Sequence, residues 1–473
     1  MAVRISWVSL FPLLALGACT VGKDHVRPTV VGADGAWSTA QAAGAVDLEP
    51  WRALGDPVLI GLIEHACRAN LDIAAAQARL NEARAMRDAV AGGTRPTVAA
   101  AASGQQRRLS RNGEFPFNRL PGLENEFPLY DAGFDAAWEI DLWGGRRRAT
   151  EGATATIAAR RAAVEETRLQ IVAETVRAYS RLREAQAFAQ ILSRQADVDA
   201  RTIRIARNLA DAGETTRDGL HEAQATWHRT QAELAEARAN ATEAANVVAV
   251  LIAQPPEAMA ARLTPSEASP TMPKPVSVGL RSDVLQRRPD IAIAEAKLAA
   301  ATADVGVARA QLFPQLSLLG GIGLQSRAGD TLIGGDSLRF GIGPSLRWPI
   351  LSGGRIRAQI RGADARVDAA AADYEKAVLG ALADSETRIN RYNTSLAKAL
   401  ALGRAEQEGL ETVRDARRRF DAGEEGMMPM LAAQTRANAA ALAARAAKTD
   451  AIIAYAMLSK ALGGGYDPAR SGH

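Results

Sequence analysis

The chain repeats itself once, and this constrains its fold more than any other feature. Asn70-Leu71-Asp72-Ile73-Ala74 corresponds to Arg288-Pro289-Asp290-Ile291-Ala292, and Leu142-Trp143-Gly144-Gly145-Arg146 to Leu351-Ser352-Gly353-Gly354-Arg355. Asp211-Ala212-Gly213-Glu214 corresponds in turn to Asp421-Ala422-Gly423-Glu424. The anchors keep their order at a spacing of roughly 210 to 220 residues, far above a solenoid period, so one large unit has been duplicated. Any architecture proposed for one half must therefore hold for the other.

Each copy reads as a half-length helix, strand, loop, strand, very long helix, tight turn and second half-length helix. The very long segments, Gly145 to Asp211 and Arg355 to Asp421, contain no proline. As helices they would each extend about 100 Å, too deep for a single globular core. Leu169, Val172, Val176, Tyr179, Leu182, Ala185, Ala189 and Leu192 step by three and four along the first, as do Val378, Leu382, Ile389, Tyr392, Leu396 and Ala399 along the second. That spacing is a coiled-coil seam. Aromatics are 5% of the chain, so the helices must pack through small side chains. The shorter helices, about 57–92 with 220–253 and 283–312 with 430–462, are about half as long and would stack in pairs beside a long one. The organisation expected is a signal peptide over 1–18, an anchored extended segment over 19–55, a first repeat over 56–254, a proline-rich linker over 255–276 that cannot continue a helix, a second repeat over 277–463 and a tail over 464–473.

Between the helices the period changes to two. Tyr130, Ala132, Phe134, Ala136, Trp138, Ile140 and Leu142 alternate with a set that includes Asp131, Asp135, Glu139 and Asp141. The same alternation runs through Leu316, Leu318, Ile322 and Leu324, and through Leu338, Phe340, Ile342, Leu346 and Trp348, with Arg339 and Arg347 on the opposite face of the last. Strands are expected at about 96–107, 129–142, 314–326 and 337–350. One apolar and one polar face over about ten residues suits a transmembrane barrel strand, although a half-buried soluble sheet alternates in the same way. Past the amino terminus no apolar run reaches the roughly 18 residues of a spanning helix, so any crossing of a bilayer falls to strands. Four strands cannot close, since membrane barrels begin at about eight. The chain must oligomerise, and counting strands does not choose between two copies and three.

The amino terminus has Arg4, an apolar stretch from Ile5 to Leu16, and small residues running into Cys19. This is a secretory signal, and Leu16-Gly17-Ala18-Cys19 resembles the lipobox of bacterial lipoproteins, whose cysteine is acylated and becomes the mature terminus. With Cys19 acylated, Cys67 is left without an intrachain disulfide partner. Thr20, rather than Asp, after the cysteine fits an outer-membrane destination.

Little supports an enzyme. His25, His65, His221, His228 and His473 form no metal-spaced cluster with carboxylates. Gly320-Gly321-Ile322-Gly323 lies in a strand and lacks the strand-to-helix context of a phosphate cradle. The net charge of +4 is spread along the chain, which argues against a nucleic-acid partner. Arg146-Arg147-Arg148, beginning a helix beside a strand, reads as an interfacial anchor.

These residues resemble the TolC-like outer-membrane factors, and more closely their lipoprotein (NodT-type) branch serving resistance-nodulation-division (RND) pumps. The carriers are Arg288-Pro289-Asp290-Ile291, Ala310-Gln311-Leu312-Phe313-Pro314, Asp141-Leu142-Trp143-Gly144, and Phe420-Asp421-Ala422-Gly423 followed by Leu431-Ala432-Ala433-Gln434. The start Gly22-Lys23-Asp24-His25-Val26-Arg27-Pro28 fits the branch as well. The resemblance covers essentially the whole mature chain. It implies a mainly α protein with a transmembrane β portion, a homotrimer whose 12-stranded barrel continues into a periplasmic α-helical barrel. The implied function is a passive, gated exit duct for small molecules such as drugs. It would be held to outer-membrane lipids by acylated Cys19, with no other cofactor, and would meet a periplasmic adaptor (membrane fusion protein) and an inner-membrane RND pump.

By likeness the two turns are the tips that meet the adaptor. Gly213, Glu214, Thr215 and Thr216 belong to one, and Gly423, Glu424, Met427 and Met428 to the other. A left-handed residue is needed at each helix end, which suits Gly213 and Gly423. Met427 and Met428 are adaptable contact residues, expected on the docking surface. Just before the second tip, Asp415, Arg417, Arg418, Arg419 and Asp421 would crowd together in a trimer and are the candidate periplasmic gate, a ring of salt bridges. Asp131, Asp135, Glu139 and Asp141 would face the lumen and bias it towards cations. A type I secretion channel exporting polypeptide is the nearest alternative. A lipid-anchored periplasmic adaptor or coiled-coil scaffold is another, but adaptors carry one hairpin between split β-rich halves, whereas each copy here has its own strand pair and hairpin.

Overall fold

A computed structural model describes residues 20–29, 35–38, 49–110, 124–263, 270–272 and 278–464. Cys19, the signal peptide, part of the linker and nearly all of the tail lie outside the described residues. In chain order the elements are α1 (Pro57–Ala69), α2 (Leu71–Gly92), β1 (Thr97–Arg108), β2 (Glu126–Ile140), α3 (Gly145–Asp211), α4 (Asp218–Leu251), α5 (Pro256–Arg262), α6 (Arg281–Arg287), α7 (Pro289–Ala310), β3 (Gln315–Ser326), β4 (Leu338–Arg347), α8 (Arg355–Asp421) and α9 (Met427–Ala461). Helices α3 and α8 are each 67 residues long. No helix among the described residues is long and apolar enough to cross a membrane.

Two expectations need correction. The helices read over 57–92 and 283–312 are each two helices, broken at Asn70 (ψ 133°) and Arg288 (ψ 122°). Arg288 precedes a proline, which pushes it out of the helical region. Asn70 leaves the helix because its side chain accepts from the Asp72 and Ile73 N–H groups at 2.9 and 3.2 Å, capping α2. The linker does not continue α4 but carries a short helix of its own, α5, started by Pro255 and Pro256 in positions that need no N–H donor. Finally, β2 stops at Ile140, so Leu142 and Asp141 are not strand residues.

The chain divides into two compact units. One comprises Met1–Pro28, Asn81–Ala159 and Glu295–Asp373. It holds a four-stranded antiparallel sheet of order β1-β2-β3-β4. Its Ala-rich helix contact is made by Val305, Ala308 and Ala363, with Ile360 and Val367 beside them. The motifs that close the sheet touch one another: Trp143 stacks on Phe313 with ring centroids 4.7 Å apart, and its Nε1 donates to the Pro314 carbonyl at 2.8 Å.

Within the run Arg146 to Arg148, Arg148 is not an interfacial anchor. Arg148 is buried, ion-paired with Asp24 and Glu151 at 2.7 Å each, and donates to the Val21 and Gly22 carbonyls. Gly22 has φ +105°, and a Cβ there would stand 2.9 Å from Gly306 Cα. Glycine at both positions lets the segment after Cys19 lie flat on α7.

The second unit comprises Thr29–Leu80, Arg160–Ala294 and Tyr374–His473. Its core draws Leu59 and Ile63 from α1, Tyr179 and Leu182 from α3, Val248 from α4, Ile389 and Tyr392 from α8, and Ile452 and Tyr455 from α9. Leu169, Val172, Val176, Tyr179, Leu182, Ala185 and Leu192 are all buried, so the three-and-four spacing on α3 is a packed seam. Polar cross-links fix its register. Buried Asp56 caps α1 with one carboxylate oxygen, and the other accepts the Tyr179 hydroxyl at 2.8 Å. Burial pushes the Tyr179 phenol up to about 12, so it stays a donor at any physiological pH. Cys67 is half-buried, and burial pushes its thiol up, away from thiolate chemistry.

Candidate functional site

The sheet has two chemically distinct faces. Register pairs Asp131 with Gln325 and Gly323 with Arg339, so these side chains share one face. Asp135, Gly321, Gly341 and Gly343 lie on that face too, which is polar and lined by small residues. The opposite face carries Tyr130, Phe134, Trp138, Ile322, Phe340 and Ile342, all exposed. Phe340 and Ile342 are 80% and 77% exposed, an arrangement that water tolerates poorly and lipid favours. Among the described residues the outer edges of β1 and β4 have no strand partner, so their backbone N–H and C=O groups require one from elsewhere.

Three of the four strand acids already have partners. Arg339 clamps Asp131 through two guanidinium nitrogens, the longer bond being 2.8 Å, and Gln325 donates to the same carboxylate at 2.8 Å. Arg339 reaches across β3 because Gly323 puts no side chain in its way. Glu139 pairs with Arg146 at 2.6 Å. Asp141 lies beyond the strand and accepts the Arg147 N–H at 2.8 Å, capping the start of α3. Asp135 sits against Gly321 on the polar face, where a Cβ would stand 2.8 Å from its carboxylate. The four acids expected to face the lumen are therefore one clamped pair, one strand-to-helix bridge, one helix cap and Asp135. Sequence reading had both halves of the Asp131–Arg339 pair but not the register that joins them.

The two turns are built alike. Gly213 and Gly423 both have φ +75°, in the left-handed region expected for a helix end. Glu214 N–H donates to Leu209 C=O at 3.0 Å and Glu424 N–H to Arg419 C=O at 2.9 Å, while the glycine N–H groups donate to Ala210 and Phe420. Each turn is a Schellman cap that satisfies the last carbonyls of a long helix. Glu214, Thr215, Thr216 and Glu424 are exposed. The methionine pair splits: Met427 packs against the cluster of Val198, Ala416, Met430 and Leu431, and Met428 is exposed. Met427 is thus a packing residue in the first turn of α9, leaving Met428 as the methionine open to a partner.

Each candidate gate charge has a partner within its own chain. Arg418 pairs with Asp415, Arg417 with Asp421 at 3.6 Å, and Arg419 with Glu425 at 3.2 Å. Glu425, which sequence reading left out of the gate, belongs to this group. It could have been found from its position, six residues past Arg419 across a turn that brings the chain back. The pairs are solvent-exposed, so each contributes little to stability, about 0–1 kcal/mol. They remain free to exchange partners.

The solved structure of the outer-membrane channel OprN superimposes on this chain with a TM-score of 0.82 and 32% identity, over 95% of this chain and all of that one. A sheet with one apolar face and two open edges, followed in each repeat by a 67-residue helix and a capped hairpin, defines the TolC-like class of outer-membrane channels. The outer membrane efflux protein family matches residues 62–254 and 280–464, one match per repeat, and the chain belongs to that family. The pyoverdine export outer membrane protein OpmQ of Pseudomonas aeruginosa is 33% identical over 431 residues, 89% of this chain and 88% of that protein. Nodulation protein T of Rhizobium leguminosarum bv. viciae is 28% identical over 97% of this chain and 93% of its own length. The NodT-type branch and the outer membrane as its location follow.

Proposed function

We propose that three copies close their sheets edge to edge into one twelve-stranded barrel, and that the resulting duct is the passive exit of a tripartite pump for small molecules. The observation that carries this is the sheet itself: four strands, both outer edges open, and a continuous exposed apolar face. Three copies give twelve strands and an open lumen, whereas two give a barrel whose interior side chains nearly fill. A periplasmic adaptor would dock at the hairpin turns, with Glu214, Thr215, Thr216, Glu424 and Met428 at the contact, and an RND transporter in the inner membrane would supply the energy. Acylation of Cys19 would anchor the amino terminus, and Arg148 would hold the segment after it against α7. In cells that lack their own outer-membrane efflux channel and carry the cognate adaptor and pump, expression of this chain is expected to lower intracellular accumulation of a fluorescent efflux substrate. Accumulation unchanged from empty vector would overturn the reading.

The charges at the second tip are proposed as the gate. In a trimer, Arg417 and Asp421 of adjacent copies would stand close enough to trade their intrachain partner for an interchain one. Such a ring opposes passage of hydrated ions. Asp421→Ala leaves Arg417 without its partner, and the closed-state conductance of single channels in planar bilayers is expected to rise severalfold. Conductance equal to that of the unsubstituted channel would remove these residues from the gate.

A further inference from the structure

Between α3 and α9 lies a cavity of about 370 Å³, lined in part by Arg183, Arg194, Arg445 and Lys448, with Glu184 and Glu406 its acids. The helices run antiparallel there: Gln195 bonds to Thr435 and Asn438, whereas Arg181 pairs with Asp450. The stretch between those cross-links is the cavity wall. Four cations against two acids understates the imbalance, because Glu184 is taken by Arg181 at 2.7 Å. Arg183 is held by the Tyr179 hydroxyl at 2.9 Å and by Gln186. Among the described residues no carboxylate lies within ion-pair distance of Arg194, Arg445 or Lys448, and Glu406 acts on Lys448 only at longer range. Burial, and then Arg445 beside it, hold the Lys448 ammonium below the usual lysine range. Like charges brought together without a counter-charge raise the energy of the folded state and favour an anion that relieves them.

A second observation points the same way. Ser180, one of the residues lining the cavity, is 3% exposed, and its hydroxyl has no hydrogen-bond partner among the described residues. A buried hydroxyl left unsatisfied destabilises the folded state and is uncommon without a ligand or water to meet it. The volume exceeds that of a single oxyanion, given about 30 Å³ for one water. Arg183 and Arg194 are eleven residues apart on one helix, about 16 Å along its axis, so one acidic group cannot meet both ends.

We propose that this cavity is a binding site for a small organic or inorganic polyanion, with phosphate or carboxylate groups at its two ends. Arg445, Lys448 and the Ser180 hydroxyl take one end, and Arg194 takes the other. Guanidinium groups recognise phosphate and carboxylate alike through paired N–H donors, so the chemistry is shared and the probe must discriminate.

The test is isothermal titration calorimetry on the full-length, detergent-solubilised oligomer with pyrophosphate and, separately, citrate. Saturable binding of at least one probe is expected, and the one that binds identifies the acidic group. The double variant Arg445→Gln, Lys448→Gln is expected to weaken it by about tenfold or more, as is usual when charge-assisted bonds are lost. Arg194→Gln, a change at an exposed side chain, is expected to weaken binding as well and stands as the readout if the double variant does not assemble. Arg436→Gln, exposed on α9 and outside the cavity, is the control and is expected to bind as the unsubstituted protein does. Absence of saturable binding by both probes, or affinity unchanged in Arg194→Gln, overturns the proposal.

Discussion

Gly133→Val is expected to abolish assembly. Gly133 on β2 faces Gly323 on β3, and the two backbones approach so closely that neither position has room for a side chain. A Cβ at Gly133 would stand 2.6 Å from the Ile322 carbonyl oxygen and 2.7 Å from Gly323 Cα. One at Gly323 would stand 2.6 Å from the Ala132 oxygen and 2.8 Å from Gly133 Cα. These neighbours are backbone on a central pair of strands, so they can yield only by breaking the ladder. The usual 1–3 kcal/mol for overpacking a side-chain core understates that cost. The seam matters beyond its own stability, because β2 belongs to the first repeat and β3 to the second. If it opens, each chain presents two separate hairpins, and a two-stranded hairpin alone is marginal. The heat-modifiable oligomer band in outer-membrane fractions should vanish, and efflux should fall to the level of cells without the channel. Gly341→Ala and Gly343→Ala on the same face are the controls. Nothing lies within 4 Å of a Cβ at either, and both should assemble normally. An assembled Gly133→Val oligomer would show that the ladder has more slack than these distances allow.

The difference between Gly133 and Gly341 was not legible in the sequence, where both are glycines in alternating strands. It depends on register, and register is a long-range property: Gly133 and Gly323 are brought together only when the two repeats pair. The same holds for Asp131 with Arg339 and for Asp24 with Arg148, whose members were each visible and whose partnership was not. Periodic features were legible. A seam stepping by three and four must pack on one side whatever it meets, and the buried run from Leu169 to Leu192 does so. Gly213 and Gly423 could be placed because a helix end imposes a local backbone requirement that few residues other than glycine meet. Met427 misled because helix α9 begins at that residue, so a side chain read as turn surface is turned into the cluster around Leu431.

Arg288→Ala is expected to destabilise the helical unit by about 3 kcal/mol, the scale for removing one partner from a largely buried charge network. The Arg288 side chain is 12% exposed and meets three groups: Asp290 through Nε and Nη2 at 3.1 and 2.8 Å, Asp384 at 3.2 Å, and the Ala461 carbonyl at 2.8 Å. Ala461 is the last residue of α9, where carbonyls lack intrahelical donors, so one guanidinium joins a helix break, α8 and a helix end. Alanine leaves Asp290 without its cation, Asp384 with Arg388 alone, and a terminal carbonyl without its donor. The first repeat meets the same need without charge. At the matching break, the Asn70 side-chain amide donates to the Leu251 carbonyl at 2.9 Å, and Leu251 is the last residue of α4. Asn70→Ala removes a neutral cap and one hydrogen bond, about 1–2 kcal/mol. The duplication therefore fixes where a side chain must tie the break to the closing helix, and the two copies fill that place with different chemistry. Denaturant midpoints of the purified proteins should fall further for Arg288→Ala than for Asn70→Ala, with Arg288→Lys between unsubstituted protein and Arg288→Ala because lysine keeps the charge but not the fork. Equal losses at the two breaks would mean that the buried charges of the second repeat add nothing to the tie.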